Sequence, residues 1–196
     1  MKRFFDFIAS GLGLICLTPL FAVLAVWIKC DSKGPVFYRQ MRVGKDNKDF
    51  RLYKFRSMRP DSDKQGLITV GGHDPRVTRS GYYIRKYKLD EIPQLINVFL
   101  GDMSLVGPRP EVRKYVDMYT PNQMKVLSVR PGITSLASIR YRNENDILAA
   151  ADNPDKTYIE QVMPDKLAID LEYVSRATLW NDIKLIFSTF KEIIVK

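Results

Sequence analysis

The feature that most constrains this chain is an uncharged apolar run near its amino terminus, residues 7–28. The run holds 22 residues, and about 20 apolar residues in a helix suffice to cross the hydrocarbon core of a bilayer. Pro19 stands near the middle of the run and removes the hydrogen bond of a carbonyl one turn earlier. The hydroxyl of Thr18 can bond to such a carbonyl, so the Thr18-Pro19 pair predicts a helix break with a local repair.

Basic residues flank both ends of the apolar run. Lys2 and Arg3 precede it, and Lys29 and Lys33 follow it. The positive-inside rule places such residues on the cytoplasmic side of a membrane, and a spanning helix would put one pair outside. We therefore expect residues 1–33 to form a re-entrant segment that enters the membrane and returns to the same face. A kinked spanning helix is the alternative, because prolines are tolerated in membrane helices.

The composition leaves several kinds of partner open. The 196 residues suffice for one globular domain with a core, and the net charge is +9. Between residues 29 and 60, ten Lys and Arg stand against three Asp. Such a segment suits anionic lipid, a phosphorylated ligand or nucleic acid. With two cysteines and a single histidine, His73, we expect neither a disulfide framework nor a structural metal site.

The remaining pattern predicts a helix-rich α+β fold. Residues 36–58, VFYRQMRVGKDNKDFRLYKFRSM, place two aromatic and basic runs around GKDNK, which indicates a β-hairpin. A helical region is predicted from residue 81, with Gly101 as its end, and another from about Pro164. The last helix carries an apolar stripe and Trp180, so it either lies in the membrane plane as an amphipathic interfacial helix or packs against the core.

Two adjacent carboxylates stand in the stretch KLDEIPQL, as Asp90 and Glu91. Pro93 is allowed in the first turn of a helix, so the pair is predicted at or near a helix start. Acidic residues are common there because the helix dipole favours them. Neighbouring residues on a helix point about 100° apart, which suits a division of roles. One carboxylate can hold Mg²⁺ together with substrate phosphates, and the other can attack phosphorus.

Arginines suited to phosphate binding surround this pair in the sequence. Arg85 precedes the carboxylates, and Arg109 is held between Pro108 and Pro110, which stiffen the backbone on both sides. A planar guanidinium on a stiff bracket suits phosphate or carboxylate, although a turn with a surface arginine gives the same pattern. A second Pro-Gly turn in SVRPGITSLASIRYRNEN contributes two more candidate ligands, Arg130 and Arg142.

Several motifs in order resemble the bacterial sugar transferases, the small monotopic phosphoglycosyl transferases that begin glycoconjugate assembly. They are KR-x-x-D, an apolar segment with T-P, YKFRSM, IR-x-x-x-LDE-x-PQL-x-NV, GDMS-x-VGPRP and RPGIT. The resemblance runs from Lys2 to beyond Gly132, and more loosely to the carboxyl terminus. It implies a catalytic domain, residues 34–196, continuous with a re-entrant helical hairpin in the cytoplasmic leaflet of the bacterial inner membrane.

The resemblance also implies a reaction and roles for particular residues. The reaction is transfer of a sugar-1-phosphate from a nucleoside diphosphate sugar, usually a UDP-sugar, to polyprenyl (undecaprenyl) phosphate, with release of UMP. The family is held to use a ping-pong route, with Asp90 as nucleophile and Glu91 as a ligand of the Mg²⁺ cofactor. Arg85, Arg109 and Lys54 would bind phosphate, and Arg130 and Arg142 would lie in the nucleotide or sugar region.

Two departures from the family pattern and two rival functions accompany this resemblance. Thr18-Pro19 replaces the common Ser-Pro, and SLAS at residues 135–138 replaces the common GLAQ, which leaves the identity of the transferred sugar open.

A glycosyltransferase that moves only the sugar would release UDP instead of UMP. A membrane-tethered basic module would explain the charge but gives no reason for the acidic pair. Membrane lipid is an expected partner, nucleic acid is not, and the oligomeric state is open.

Overall fold

The computed structural model describes residues 1–62 and 74–194, the last five of these by their backbone alone. His73 therefore lies outside the described residues. The apolar run and its flanking charges form one long helix, α1, Lys2–Asp31, which continues through Pro19. The Thr18 hydroxyl donates to the carbonyl oxygen of Leu14 at 2.8 Å, and not to that of Ile15, the carbonyl that Pro19 deprives of its helical hydrogen bond. Because α1 is continuous, a break at Pro19 and a re-entrant path stay predictions.

The amino-terminal end of α1 is fastened to the rest of the molecule by polar contacts. The Lys2 ammonium donates to the buried carboxylate of Asp182 at 2.5 Å and to the carbonyl of Val106 at 2.8 Å. Asp6 is buried, and its carboxylate accepts a hydrogen bond from the backbone N–H of Leu105 at 3.1 Å. The KR-x-x-D motif therefore binds the helix to distant parts of the chain.

The carboxyl-terminal end of α1 is fastened to the same folded body. Leu24 and Ile28 are buried against Phe55 and Ile84. Polar groups close the end of the helix: the buried guanidinium of Arg56 donates to the Ser32 carbonyl at 2.8 Å. The Asp31 carboxylate accepts from the backbone N–H of Ser80 at 2.9 Å and lies in the last residue of α1. Both ends of α1 thus contact one body.

The predicted hairpin is confirmed. Strands β1, Phe37–Val43, and β2, Asp49–Phe55, pair antiparallel, with Phe37 opposite Phe55. The connection is a short 3₁₀ turn in which Asp46 and Asn47 have positive φ, a conformation that Asp and Asn tolerate better than most residues. Lys54 lies near the end of β2, so the hairpin carries it to a fixed position.

A second, parallel pair of short strands was not predicted. Strands β3, Ser104–Val106, and β4, Gly132–Thr134, hold the segments that flank the two proline motifs. Their close approach requires glycine, because a Cβ on Gly132 would lie 2.1 Å from the backbone nitrogen of Gly107. The sequence GPRP is therefore placed directly against RPGIT.

Helices complete the described part of the fold. Gly101, with φ of 101°, ends α3 as predicted. The carboxyl-terminal helices form a second core, in which Tyr115, Tyr158 and Leu167 are buried, and the predicted helix from about Pro164 is confirmed. The helices are α2 Arg79–Lys86, α3 Gln94–Leu100, α4 Arg113–Val116, α5 Leu136–Arg140, α6 Glu144–Ala149, α7 Pro154–Thr157, α8 Met163–Ser175 and α9 Leu179–Ile194.

Large apolar side chains remain exposed on α1 and α9. Helix α1 is long and apolar enough to cross a membrane, and most of its apolar stretch is not covered by the protein. Ile15 is 71% exposed, and on α9 Trp180 is 64% and Phe187 71% exposed. The side chains of residues 190–194, part of the predicted stripe, are outside the described part. Exposed apolar surface of this kind marks a contact with a membrane or a partner.

Candidate active site

A tight turn presents the two adjacent carboxylates. Lys88 has a positive φ of 56°, which ends the approach from α2 and starts a single 3₁₀ turn, Leu89–Glu91. Pro93 follows as the residue that caps α3, so the pair lies just before a helix start, as predicted. Asp90 is buried, and Glu91 is largely covered.

Two cations hold Glu91. The Arg109 guanidinium forms a fork on its carboxylate, with Nη2 donating to Oε1 and Nη1 donating to Oε2 at 3.3 Å. The Lys54 ammonium donates to Oε1 at 3.2 Å. Lys54 comes from the hairpin, Glu91 from the 3₁₀ turn and Arg109 from the segment after β3. Three distant stretches of the sequence therefore meet at one carboxylate.

The electrostatics separate the two acids. Burial and the neighbouring charge of Glu91 raise the pKa of Asp90 above its usual value. Burial also acts to raise the pKa of Glu91, but the charges of Arg109 and Lys54 outweigh it and hold that pKa well below its usual range. Burial lowers the pKa of Lys54, and Glu91 opposes this. Glu91 is consequently held in its ionised form, whereas the carboxyl of Asp90 keeps its proton more readily than a free aspartate does.

A second ion pair, Arg42 with Glu111, holds the segment Pro108-Arg109-Pro110, which we call the bracket. The Arg42 guanidinium on β1 donates to the Pro110 carbonyl and to the Glu111 carboxylate, each at 3.1 Å. The backbone N–H of Val43 donates to the Glu111 carbonyl at 2.8 Å. The bracket is thus tied to the hairpin, which fixes Arg109 relative to Lys54.

Most of the predicted site residues line one cavity of about 600 Å³. Arg85 lies there, and its charge acts to lower the pKa of Asp90. Arg142 lines the wall on the side of α6. Arg130 lies elsewhere, since its Nε donates to the Gly101 carbonyl at 2.7 Å and it is not among the lining residues. The cavity also contains the other predicted residues: Lys54, Asp90, Glu91 and Arg109.

The donor set is compatible in kind with Mg²⁺ but is not a complete protein cage. Among the side chains of residues 1–62 and 74–189, no group of three or more His, Cys, Asp or Glu could hold a metal ion. Mg²⁺ binds through one or two carboxylates and substrate phosphates, so two acids beside a phosphate site meet that requirement. In this structure the Glu91 oxygens are engaged by Arg109 and Lys54.

Sequence reasoning missed several residues that shape the cavity. Arg42 and Glu111, which brace the bracket, have no motif that distinguishes them from surface charges. Asp170 on α8 and Tyr158 also line the cavity, and they lie far along the chain from the carboxylate pair. Only a contact prediction between distant positions would have placed them there.

Comparison with known proteins identifies the family. The model of the bacterial sugar transferase family matches residues 1–196. The chain belongs to the bacterial sugar transferase family. The family resemblance of the motifs is thus confirmed, and the match extends over residues 1–196.

Curated relatives share the sequence at moderate identity. The chain is similar, at 41% identity over 99% of its length, to a UDP-N-acetylgalactosamine-undecaprenyl-phosphate N-acetylgalactosaminephosphotransferase of Aeromonas hydrophila. It is 39% identical over its full length to a UDP-glucose:undecaprenyl-phosphate glucose-1-phosphate transferase of Klebsiella pneumoniae. It spans only 44% and 40% of these relatives. It spans 92% of the exopolysaccharide production protein PSS of Rhizobium leguminosarum bv. phaseoli, with 38% identity.

Proposed function

We propose that this protein transfers a sugar-1-phosphate from a UDP-sugar to undecaprenyl phosphate and releases UMP. The observation that carries the proposal is the carboxylate pair, in which Glu91 is held by Arg109 and Lys54 inside a cavity. The names of the relatives from Aeromonas and Klebsiella support the substrate class.

The proposed first step forms a bond between the Asp90 carboxylate and the phosphorus that carries the sugar. The bond from that phosphorus to the bridging oxygen breaks, and UMP leaves with the electron pair. Asp90 fits this role because Glu91 is occupied by cations, whereas the carboxylate of Asp90 forms no ion pair or hydrogen bond among the described residues. Burial and the charge of Glu91 raise the pKa of Asp90, and the positive charges of Lys54, Arg85 and Lys88 offset part of that rise and so favour the ionised carboxylate that attacks.

In the second step, an oxygen of undecaprenyl phosphate attacks the phosphorus of the aspartyl phosphosugar. The bond to Asp90 breaks, which restores the free carboxylate and yields an undecaprenyl diphosphate sugar. Arg109 and Lys54 would exchange Glu91 for phosphate oxygens and neutralise their charge through both steps.

We further propose that Mg²⁺ is the cofactor, shared between Glu91 and the diphosphate of the substrate. Movement of Arg109 and Lys54 onto phosphate would free the oxygens of Glu91 for this purpose. Bound there, the ion would neutralise charge on the diphosphate. Glu91→Gln would be expected to weaken the dependence of UMP release on Mg²⁺ concentration.

A position at the cytoplasmic face of the inner membrane completes the proposal. Residues 1–33 would enter one leaflet and return, and α9 would lie along its surface. The contacts of both ends of α1 with one folded body support this path, because a straight crossing would separate them. The phosphate of the acceptor and the carboxylate pair would then lie at similar depth, while the acceptor tail stays in lipid.

The test is release of nucleotide from UDP-sugars by the full chain in detergent with undecaprenyl phosphate and Mg²⁺. We predict that Asp90→Asn abolishes UMP release and formation of a labelled protein adduct in the absence of acceptor. Asp117→Asn, at an exposed position in the turn after α4, serves as the matched control and should keep wild-type turnover.

Other outcomes separate the rival functions. Release of UDP in place of UMP would identify a transferase that moves the sugar alone. Full turnover by Asp90→Asn would contradict the aspartyl intermediate. Salt-sensitive nucleic-acid binding without nucleotide release would indicate a basic binding module.

A further inference from the structure

The cavity extends beyond Arg109 into a compartment that the proposed chemistry does not use. This compartment lies between the bracket, α5 and α8, and its walls include aromatic rings and a carboxylate, Asp170. Tyrosine rings give it flat apolar surfaces, and their hydroxyls and the nearby acids give it polar ones. Its tyrosines are Tyr115, Tyr119, Tyr141 and Tyr158.

The charged groups around Asp170 are already paired with one another. Glu111 accepts hydrogen bonds from Arg42, at 3.1 Å, and from the hydroxyl of Tyr158. Lys166, one turn before Asp170 on α8, donates to Glu144 at 2.7 Å. These pairs neutralise the compartment wall without using Asp170.

Asp170 differs from its neighbours in having an unused acceptor. Its exposure is 5%, and its Oδ1 has no hydrogen-bond partner among the residues that the structure describes. A buried acceptor without a partner costs free energy, and a ligand that donates to it removes the cost. Burial raises the pKa of Asp170 to about 7 and outweighs the opposing charge of Lys166 and the backbone N–H groups of Ala137 and Arg109.

We infer that Asp170 accepts hydrogen bonds from hydroxyl groups of a sugar ring bound in this compartment. The inference rests on the proposed function, which brings a nucleotide sugar into the cavity. Arg109, Lys54 and Arg142 make the site unfavourable for a cationic ligand. Two parts of a UDP-sugar present the required hydroxyls: the ribose of the nucleotide and the sugar that is transferred.

Binding measurements on the full chain in detergent with Mg²⁺ test the inference. The probes are UMP, 2′,3′-dideoxy-UMP, UDP-glucose and UDP-N-acetylgalactosamine. The variant is Asp170→Asn, which keeps the size of the side chain and removes its charge. The control is Glu172→Gln on the same helix, an exposed position that pairs with Arg176 and is not part of the cavity wall.

The pattern of losses identifies which hydroxyls Asp170 contacts. If it binds ribose, the wild type prefers UMP over the dideoxy analogue by about tenfold or more, and Asp170→Asn loses that preference. If it binds the transferred sugar, the variant keeps the wild-type ratio for UMP and its analogue. It then loses about tenfold or more in affinity for a UDP-sugar relative to UMP. Glu172→Gln matches the wild type throughout.

Three results would overturn the inference. Affinities of Asp170→Asn within about twofold of the wild type for all four probes would show that no ligand contacts Asp170. An equal loss for all four probes would assign it a structural role. Failure of both Asp170→Asn and Asp170→Ser to fold would likewise assign Asp170 a structural role. If instead the wild type binds no uridine nucleotide, the proposed function itself fails.

Discussion

At the scale of single residues, two adjacent acids have different environments. Glu91 is paired with Arg109 and Lys54, whereas Asp90 has no ion pair among the described residues. A guanidinium is a planar fork and an ammonium is a point charge, so the two cations are not equivalent. Arg109 sets the orientation of Glu91, and Lys54 adds charge.

Arg109→Lys should therefore lower UMP release by about tenfold or more, because a lysine cannot reproduce the two parallel bonds. The measurement is turnover with a UDP-sugar, together with a thermal melt that shows the variant is folded. Arg113→Lys, at a surface pair with Asp49, is the matched control and should leave turnover unchanged. Wild-type turnover in Arg109→Lys would contradict a role for the fork.

Asp170→Asn should stabilise the protein at pH 8 and have little effect near pH 4. The native carboxyl has a pKa of about 7, against 3.8 for an unperturbed aspartate, so the native state holds its proton more tightly than the unfolded state. Stability of the wild type therefore falls as the pH rises from about 4 to above 7. The difference is at most about 4 kcal/mol.

Chemical denaturation of both proteins across this pH range measures the effect of Asp170. Lys166 is the charged side chain that acts to lower its pKa, together with the N–H groups of Ala137 and Arg109. A constant difference between wild type and variant from pH 4 to pH 8 would contradict the raised pKa.

At the scale of elements, the parallel pair β3 and β4 positions the bracket. Gly132 and Gly107 let the two strands approach so closely that a side chain on either would meet backbone atoms. The bracket with Arg109 begins immediately after this contact. Its position therefore depends on two residues that have no side chain.

Gly132→Ala should destabilise the protein by about 1–3 kcal/mol and reduce UMP release, since its Cβ would lie 2.1 Å from the Gly107 nitrogen. Denaturation and turnover measure the two effects. Gly13→Ala is the control, because its Cβ would meet only the Leu95 side chain, at 3.3 Å, inside helix α1. Equal stability of the two variants would show that the strands can move apart.

The elements that sequence predicted are those with local signals. The hairpin has its turn residues between two short runs, and α3 has Gly101 at its end. The carboxylate pair and Arg109 were each predicted from a motif only a few residues long. The pairing of β3 with β4 and the position of Asp170 depend on packing between distant segments, for which one sequence gives no periodic signal.

At the scale of the whole molecule, the apolar surface and the site are joined through α1. Its ends contact the body that holds the carboxylates, while its outer side chains, such as Ile15, remain exposed. Trp180 and Phe187 on α9 are exposed as well. We expect these helices to define how the protein lies against lipid.

The two native cysteines, both exposed, allow a test in membranes. Cys16 lies mid-helix and Cys30 near the end of α1, so a water-soluble maleimide should label Cys30 in inside-out vesicles and leave Cys16 unlabelled until detergent is added. Single-cysteine variants separate the two signals. Labelling of a cysteine introduced at position 1 from outside intact cells would instead indicate a helix that crosses the bilayer.

With Lys2 and Asp31 both bound to the same folded body, neither end of α1 needs to pass through hydrocarbon for the helix to settle into one leaflet. Insertion would then be the docking of a folded protein onto one leaflet, with no translocation of an unfolded segment. A chain that has already folded could embed from the side on which it was made, to a depth set by the exposed apolar side chains of α1.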